Sequence, residues 1–519
     1  MIARKVILVL AAAIAASTMR PIIAADRPVL REEMTIADIE KGIKTRQFSC
    51  TQLIDYYIKR IEDFDKKGPA INAILTLNES ARDEAKRLDM TLARKGLVGP
   101  LHCVPVALKD NIATSDLPTT AGSVALQGWQ IGRDATAVQR LRKAGAIILA
   151  KANLHEFALV GLTNSSLGGQ TRNPYDLTRT PGGSSGGPGA AVASNFVVAA
   201  LGTDTQNSIR SPASAMSVVG LRPTAGLVSR AGVMPVSGTQ DALGPITRTT
   251  ADAAAILSVI QGYDADDEAT ARIAGQKLDD YTSALGGDGL KGARIGVMRS
   301  MFGKNEGEGA HVNAVMAKAI QTMRHAGATM VDIEEPDMSA EKLVANNDVM
   351  VFEFRDAFNG YLKHYSNAPI SDLHALIETG KYDKASLEGF LRRADAERTQ
   401  QSDINYAERI ARDHFLRQRL FALFAKENLN ALIYPEQKRL VVKIGETDQA
   451  GRTGILAAVT GFPAITVPAG FSEPTADAKI GVPIGMDILG RPMSEARLLA
   501  IASAFERAAQ ARRKPPDMP

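Results

Sequence analysis

The 519-residue sequence predicts an α/β fold: a single large domain whose mixed, largely parallel central sheet is surrounded by helices. Three observations carry this expectation. Pro105-Val-Ala-Leu108 and Gly145-Ala-Ile-Ile-Leu149 are short apolar runs that read as buried strands. The stretch between them, Ala135 to Ala144, carries the helical spacing that a parallel crossover needs. Apolar residues make up 45% and charged residues 23% of the chain, the balance of a globular protein with a sizeable core.

In chain order, residues 1–25 read as a secretory signal peptide: Arg4-Lys5, an apolar run from Val6 to Ala16, then Ile23-Ala24-Ala25 before the polar Asp26. That run is too short for a permanent membrane span. Export to the periplasm or the medium is therefore expected, with no stable membrane insertion after processing; an uncleaved anchor is the alternative. Residues 26–95 read as N-terminal helices packing on the core, because Ile36, Ile39 and Ile43, and then Leu53, Tyr57 and Ile61, recur at helical spacing. Residues 96–519 contain no repeat and no low-complexity linker, so they read as one domain. Within it, Asn173 to Gly189 (NPYDLTRTPGGSSGGPG) is a loop of turn formers, and Ala190 to Ala193 begins a tightly packed helix. Phe196 to Leu201 is a buried strand ending at Gly202-Thr-Asp-Thr205. The stretch Leu343 to Phe424 is mostly helical, and an amphipathic helix from Ser494 to Gln510 closes the chain.

The formal net charge of +4 is small for this length, and Lys and Arg are scattered without interleaved aromatics, so nucleic acid is not an expected partner. Cys50 and Cys103 stand far apart, with no His at metal-ligand spacing. They are expected to be free buried thiols, with neither a disulfide framework nor a zinc site, and no metal or cofactor is expected.

Ligands of open α/β sheets bind at the carboxyl ends of the strands. Lys109 directly follows one buried strand and Ser208 lies just past another. A desolvated lysine can lose its proton near neutral pH and act as a general base. Ser184 and Ser185 lie in GGSSGG, which also fits the G-x-S-x-G elbow; that elbow needs a strand immediately before it, whereas Asn173 to Thr180 are turn formers. No Lys follows the glycines as a phosphate-binding loop requires. Ser339-Ala-Glu-Lys342 matches S-x-x-K by chance, without its companion motifs.

The segments GPLHCVPVALKDNI, NPYDLTRTPGGSSGGPGAAVA, ALGTDTQNSIRSPASAMSVVGLRPTAGLVSRAGV and GPITRT resemble the amidase-signature family. The likeness returns at Gly461 to Gly470 and at Gly481 to Arg491, and so covers nearly all of the chain after the signal. It implies hydrolysis of the carbon–nitrogen bond of a small or medium acyl amide through a serine acyl-enzyme. Ser208 would be the nucleophile, Ser184 the bridging serine after a cis peptide at Gly183–Ser184, and Lys109 the base. Backbone N–H groups of Thr205, Gln206, Asn207 and Ser208 would form an oxyanion hole, worth about 3–4 kcal/mol per donor. The same fold allows ester or carbamate cleavage. The family also includes a component of the glutamyl-tRNA amidotransferase that takes part in transamidation with partner subunits; the signal segment argues against that reading. A non-catalytic binding protein on the same scaffold is a further class, disfavoured by the presence of all three triad residues. The expected partner is a small-molecule amide, and the expected state a monomer or homodimer.

One departure stands out. The family usually has two small residues before the nucleophile, where this chain has Gln206-Asn207. Either the loop bends differently or the two side chains line the substrate pocket. Asp204 and Arg210, flanking the loop, are expected to form a buried ion pair or brace. Val351, Phe354, Phe358 and Tyr361 share a helical face, and Phe352, Phe354, Phe358 and Tyr361 either pack in the core or line an apolar pocket.

Overall fold

The computed structural model describes residues 30–365, 367–396 and 403–518; the segment read as a signal lies outside them. Eleven strands are present: β1 Ile74–Leu77, β2 Pro105–Lys109, β3 Ile147–Ala152, β4 Ala199–Asp204, β5 Val219–Arg222, β6 Ala242–Thr247, β7 Arg294–Met298, β8 Thr329–Ile333, β9 Ala431–Pro435, β10 Ala464–Phe471 and β11 Pro483–Leu489. They form one sheet in the order β1-β3-β2-β4-β6-β5-β10-β11-β9-β7-β8. The expected α/β class and mixed sheet with helices around it are observed, but the sheet is not largely parallel: among the described residues, six of its ten strand pairings are antiparallel. Parallel pairing occurs where crossovers occur, in β3-β2-β4 and in β9-β7-β8. The middle of the sheet and its β1 edge are antiparallel.

The first crossover follows the sequence pattern, with the helix Thr136–Lys143 between β2 and β3. All residues of β2, β3 and β4 are buried, which is why each opens on an apolar run before reaching Lys109, Lys151 or Thr203. β4 starts later than its apolar run and continues through Asp204, since its ends are set by pairing with β6 from Ala199↔Thr247 to Asp204↔Ala242.

The N-terminal segment is not wholly helical, which corrects the sequence reading. Helices Ile36–Lys44 and Cys50–Phe64 are there, each opened by a capping box, at Thr35 and Ser49. Between the second of them and the helix Ala81–Lys95, however, β1 adds an antiparallel edge to β3. Four residues are too few to display a period, and a carboxylate from the preceding turn holds them: Asp65 Oδ1 accepts from Ala73 N at 2.6 Å.

A second correction concerns the cysteines. Cys50 and Cys103 are disulfide-bonded, with Cα atoms 5.4 Å apart, instead of free. His102 Nε2 lies 3.7 Å from Cys50 Sγ, so the histidine that sequence spacing did not associate with the pair adjoins it. A sequence separation of 53 residues concealed the contact.

On the helix Met350–His364, Phe354 and Phe358 are fully buried and stacked, their ring centroids 5.4 Å apart. Core packing thus accounts for them, while Tyr361 faces a cavity. Among the described residues no helix is long and apolar enough to cross a membrane.

Candidate active site

Two neighbouring parallel strands bring the candidate residues together. β2 ends on Lys109, and β4 ends on Asp204 and turns into the loop carrying Ser208. The loop carrying Ser184 enters from the side and runs into the helix Gly186–Ala193, every residue of which is buried. That burial depends on small residues: a Cβ on Gly187 would lie 2.1 Å from the Asn153 carbonyl oxygen. No strand precedes Ser184, so the elbow reading does not apply. The Gly183–Ser184 peptide is cis.

Lys109 Nζ donates to Ser184 Oγ and to Thr203 Oγ1, each at 2.7 Å. Asn111 Nδ2 also donates to Thr203 Oγ1, at 3.3 Å. Ser185 joins the segments, its N–H donating to the Ser208 carbonyl at 3.0 Å and its hydroxyl to the Thr203 carbonyl at 3.1 Å. Lys109 and Ser184 are 0% exposed and Ser208 is 6% exposed, so of the three only Ser208 retains any accessible surface.

Burial pulls the Lys109 ammonium down to about 7, opposed only in part by the charges of Asp241 and Asp204. Lys151, also fully buried and also lowered by burial, differs in having an ion pair with Asp110 at 3.1 Å. Among the described residues no carboxylate lies within ion-pair distance of Lys109.

None of residues 205–208 has positive φ, so the loop does not need glycine where Gln206 and Asn207 stand. Their side chains turn to protein partners. Gln206 Nε2 donates to Asp348 Oδ2 at 2.8 Å, and Asn207 Nδ2 to Glu436 Oε1 at 3.0 Å. Among the described residues, the backbone N–H groups of Thr205 through Ser208 have no protein acceptor, the condition a set of oxyanion donors must meet.

The flanking charges form a buried network. Asp204 pairs with Arg210 at 3.1 Å and with Arg222 at 3.0 Å, and Arg210 with Asp487 at 2.8 Å, all without exposure. Burial would raise the Asp204 acid, but Arg210 and Arg222 outweigh it and hold the carboxyl below its usual range. The pair braces the loop.

Several residues of the site escaped the sequence reading. Thr203 could have been found, since it precedes Asp204 at a strand end; Ser185 stands out only as part of GGSSGG, and Asn111 and His155 carry no local signal. His155 donates its backbone N–H to the Ser184 carbonyl at 3.0 Å, and burial pushes its ring down to about 3, so it stays neutral. Ser339 and Lys342 take no part: Lys342 is exposed and pairs with Asp337. A cavity of about 520 Å³, walled by Tyr361, Tyr365 and Arg230 among others, reaches the site only at Thr203 and Asp241.

Comparison with known proteins supplies the family. Residues 52–499 match the amidase family. The chain is 35% identical to a probable amidase of Arabidopsis thaliana, over 93% of this chain and 91% of that protein. It is 32% identical to a glutamyl-tRNA(Gln) amidotransferase component of Caldanaerobacter subterraneus subsp. tengcongensis, over 93% of this chain and 98% of that one. The X-ray structure of the peptide amidase from Stenotrophomonas maltophilia superposes with a TM-score of 0.85 at 36% identity, over 93% and 98% of the two chains. With sequence similarity and a shared fold covering almost the whole described chain, this protein belongs to the amidase family, the amidase-signature enzymes.

Proposed function

We propose that this amidase-type hydrolase cleaves the carbon–nitrogen bond of a small or medium acyl amide through a Ser208 acyl-enzyme, with Ser184 and Lys109 as its proton relay. The observation that carries the reading is the buried Lys109 Nζ, 2.7 Å from Ser184 Oγ and with its ammonium pulled down to about 7. A serine hydroxyl needs an adjacent base, and a neutral lysine can supply it. Ser208 Oγ attacks the substrate carbonyl as its proton passes to Ser184 Oγ and the Ser184 proton passes to Lys109 Nζ. The carbonyl becomes an oxyanion held by the N–H groups of residues 205–208. Collapse of that intermediate breaks the C–N bond, and the leaving amine takes the proton back through Ser184. Water then attacks the acyl-enzyme through the same relay, releasing the acid and restoring Ser208.

Ester or carbamate cleavage would share the acyl-enzyme step. The transamidation reading draws support from the relatives named as amidotransferase components. Export, with processing after residue 25, is supported by the signal-like segment and by the Cys50–Cys103 bond, since such bonds persist in oxidising compartments.

The deciding experiment assays the purified chain alone on a panel of peptide amides, anilides, esters and carbamates, alongside Ser208→Ala. Release of free acid from an amide, lost in Ser208→Ala while the circular dichroism spectrum stays that of the parent, is the expected outcome. Activity only with partner proteins and an aminoacyl-tRNA would favour transamidation, and undiminished turnover in Ser208→Ala would refute the nucleophile. Mass spectrometry of protein from the periplasmic fraction or the medium should find an N-terminus at Asp26; an intact Met1 in a membrane fraction would overturn export.

A further inference from the structure

The three side chains before Ser208 share a pattern. Thr205 Oγ1 donates to Asp241 Oδ1 at 2.5 Å, Gln206 Nε2 to Asp348 Oδ2 at 2.8 Å and Asn207 Nδ2 to Glu436 Oε1 at 3.0 Å. The three acidic residues come from different parts of the chain and are themselves anchored. Asp241 Oδ2 accepts from Val236 N at 2.8 Å and Ser237 N at 3.0 Å. Asp348, at the approach to the helix Met350–His364, accepts from Met350 N at 3.1 Å. Glu436 follows β9; its N–H donates to the Gly485 carbonyl at 3.2 Å, and Thr453 N donates to its own carbonyl at 3.1 Å.

The loop passes close to a glycine at Asn207. A Cβ on Gly454 would lie 2.4 Å from Asn207 Cβ, so the facing backbone leaves room for any side chain at 207 only because residue 454 has none. On the other side of the loop, Arg210 Nη2 donates to the Gly454 carbonyl at 2.9 Å, tying the same segment to the brace. Small residues at 206 and 207 could make neither of the two side-chain bonds.

Oxyanion donors work only if held where the charge will develop, because a loop that must reorganise returns part of the stabilisation. We propose that Asp241, Asp348 and Glu436 are positioning residues that clasp the oxyanion loop from three sides through Thr205, Gln206 and Asn207. This inference rests on the reading of Ser208 as nucleophile. Burial, reinforced by the Asp487 charge, pushes the Glu436 acid well above its ordinary range, and what the clasp requires of it is the acceptor at Oε1, which a glutamine amide oxygen can reproduce.

The test uses the full chain with Gln206→Ala, Asn207→Ala, Glu436→Ala and Glu436→Gln. Three quantities are read: kcat and KM on a hydrolysed amide, the inhibition constant of an arylboronic acid that forms a tetrahedral adduct on serine, and the rate of labelling by a fluorophosphonate. The alanine variants should lose kcat and boronate affinity together by roughly 10–100-fold, short of losing a donor outright, with KM within about 3-fold of the parent. Glu436→Gln should retain both within about 3-fold. Folded alanine variants that keep the parent's kcat and boronate affinity would overturn the clasp, as would a Glu436→Gln variant no better than Glu436→Ala. Gln206 is only half-buried, so Gln206→Ala keeps the test decisive if a buried variant fails to fold. A parent that is not labelled on Ser208 would instead sink the nucleophile reading, whereas a labelled parent matched in labelling rate by the alanine variants would sink the clasp alone.

Discussion

At the scale of single residues, Lys109 illustrates how burial makes a base. Taking an ammonium out of water disfavours its charge; burial lowers Lys151 as well, but an ion pair with Asp110 opposes it there, and Lys109 has no such partner among the described residues. The proposed base is the neutral form, which is populated as pH rises through about 7. We expect kcat/KM to climb from acid pH with an apparent pKa near 7 and then level, as a pH–rate profile would register. Lys109→Met should lower kcat/KM by about 10³-fold or more and abolish that rise. The stability sign also follows. Between about 7 and the ordinary value of 10.5 the unfolded chain binds more protons at this position than the folded one, so the Lys109 contribution to stability improves as pH rises through that window. Urea titrations of Lys109→Met at several pH values should lack this part of the slope.

The elements around the site are built by close backbone approach. The helix Gly186–Ala193 packs against the end of β3 because Gly187 offers no side chain to the Asn153 carbonyl, 2.1 Å from where its Cβ would stand. Gly187→Ala forces that contact apart, and we expect a loss of about 1–3 kcal/mol in chemical denaturation. Because Ser184 sits just before this helix, the same change should slow fluorophosphonate labelling of Ser208. A variant with the parent's denaturation midpoint and labelling rate would contradict this account of the glycine run. The loop on the other side is held by charge instead: Asp204, Arg210, Arg222 and Asp487 are all buried, and pairing outweighs desolvation at Asp204 and Arg210 while burial still disfavours the charged forms of Arg222 and Asp487.

For the whole molecule, the N-terminal layer is joined to the core by several kinds of bond. β1 extends the sheet at β3, Ile36 N donates to Asp252 Oδ1 at 2.9 Å, and Glu33 receives both nitrogens of an Arg512 fork at 2.8 Å. The Cys50–Cys103 bond closes this layer onto the turn before β2 across 53 residues. Removing it by Cys50→Ala/Cys103→Ala should reduce stability by about 2–4 kcal/mol. Thermal unfolding of that variant beside the parent measures the loss, and equal melting temperatures would show that the other contacts hold the layer without the disulfide.

The sequence by itself determined the α/β class, the strands ending at Lys109 and before Ser208, the loop around Ser184 and the family resemblance. These are local properties: strand and helix periods and turn chemistry are written within a few neighbouring residues. Only the tertiary structure decided the rest. Ser184 meets Lys109 across 75 residues and Asn207 meets Glu436 across 229, distances at which no spacing rule operates. β1 was too short to show a period, and the cysteine pair too far separated to be recognised. The Gln206-Asn207 step, an anomaly in the sequence, acquires a physical sense only when Asp348 and Glu436 arrive from elsewhere in the chain to receive its hydrogen bonds.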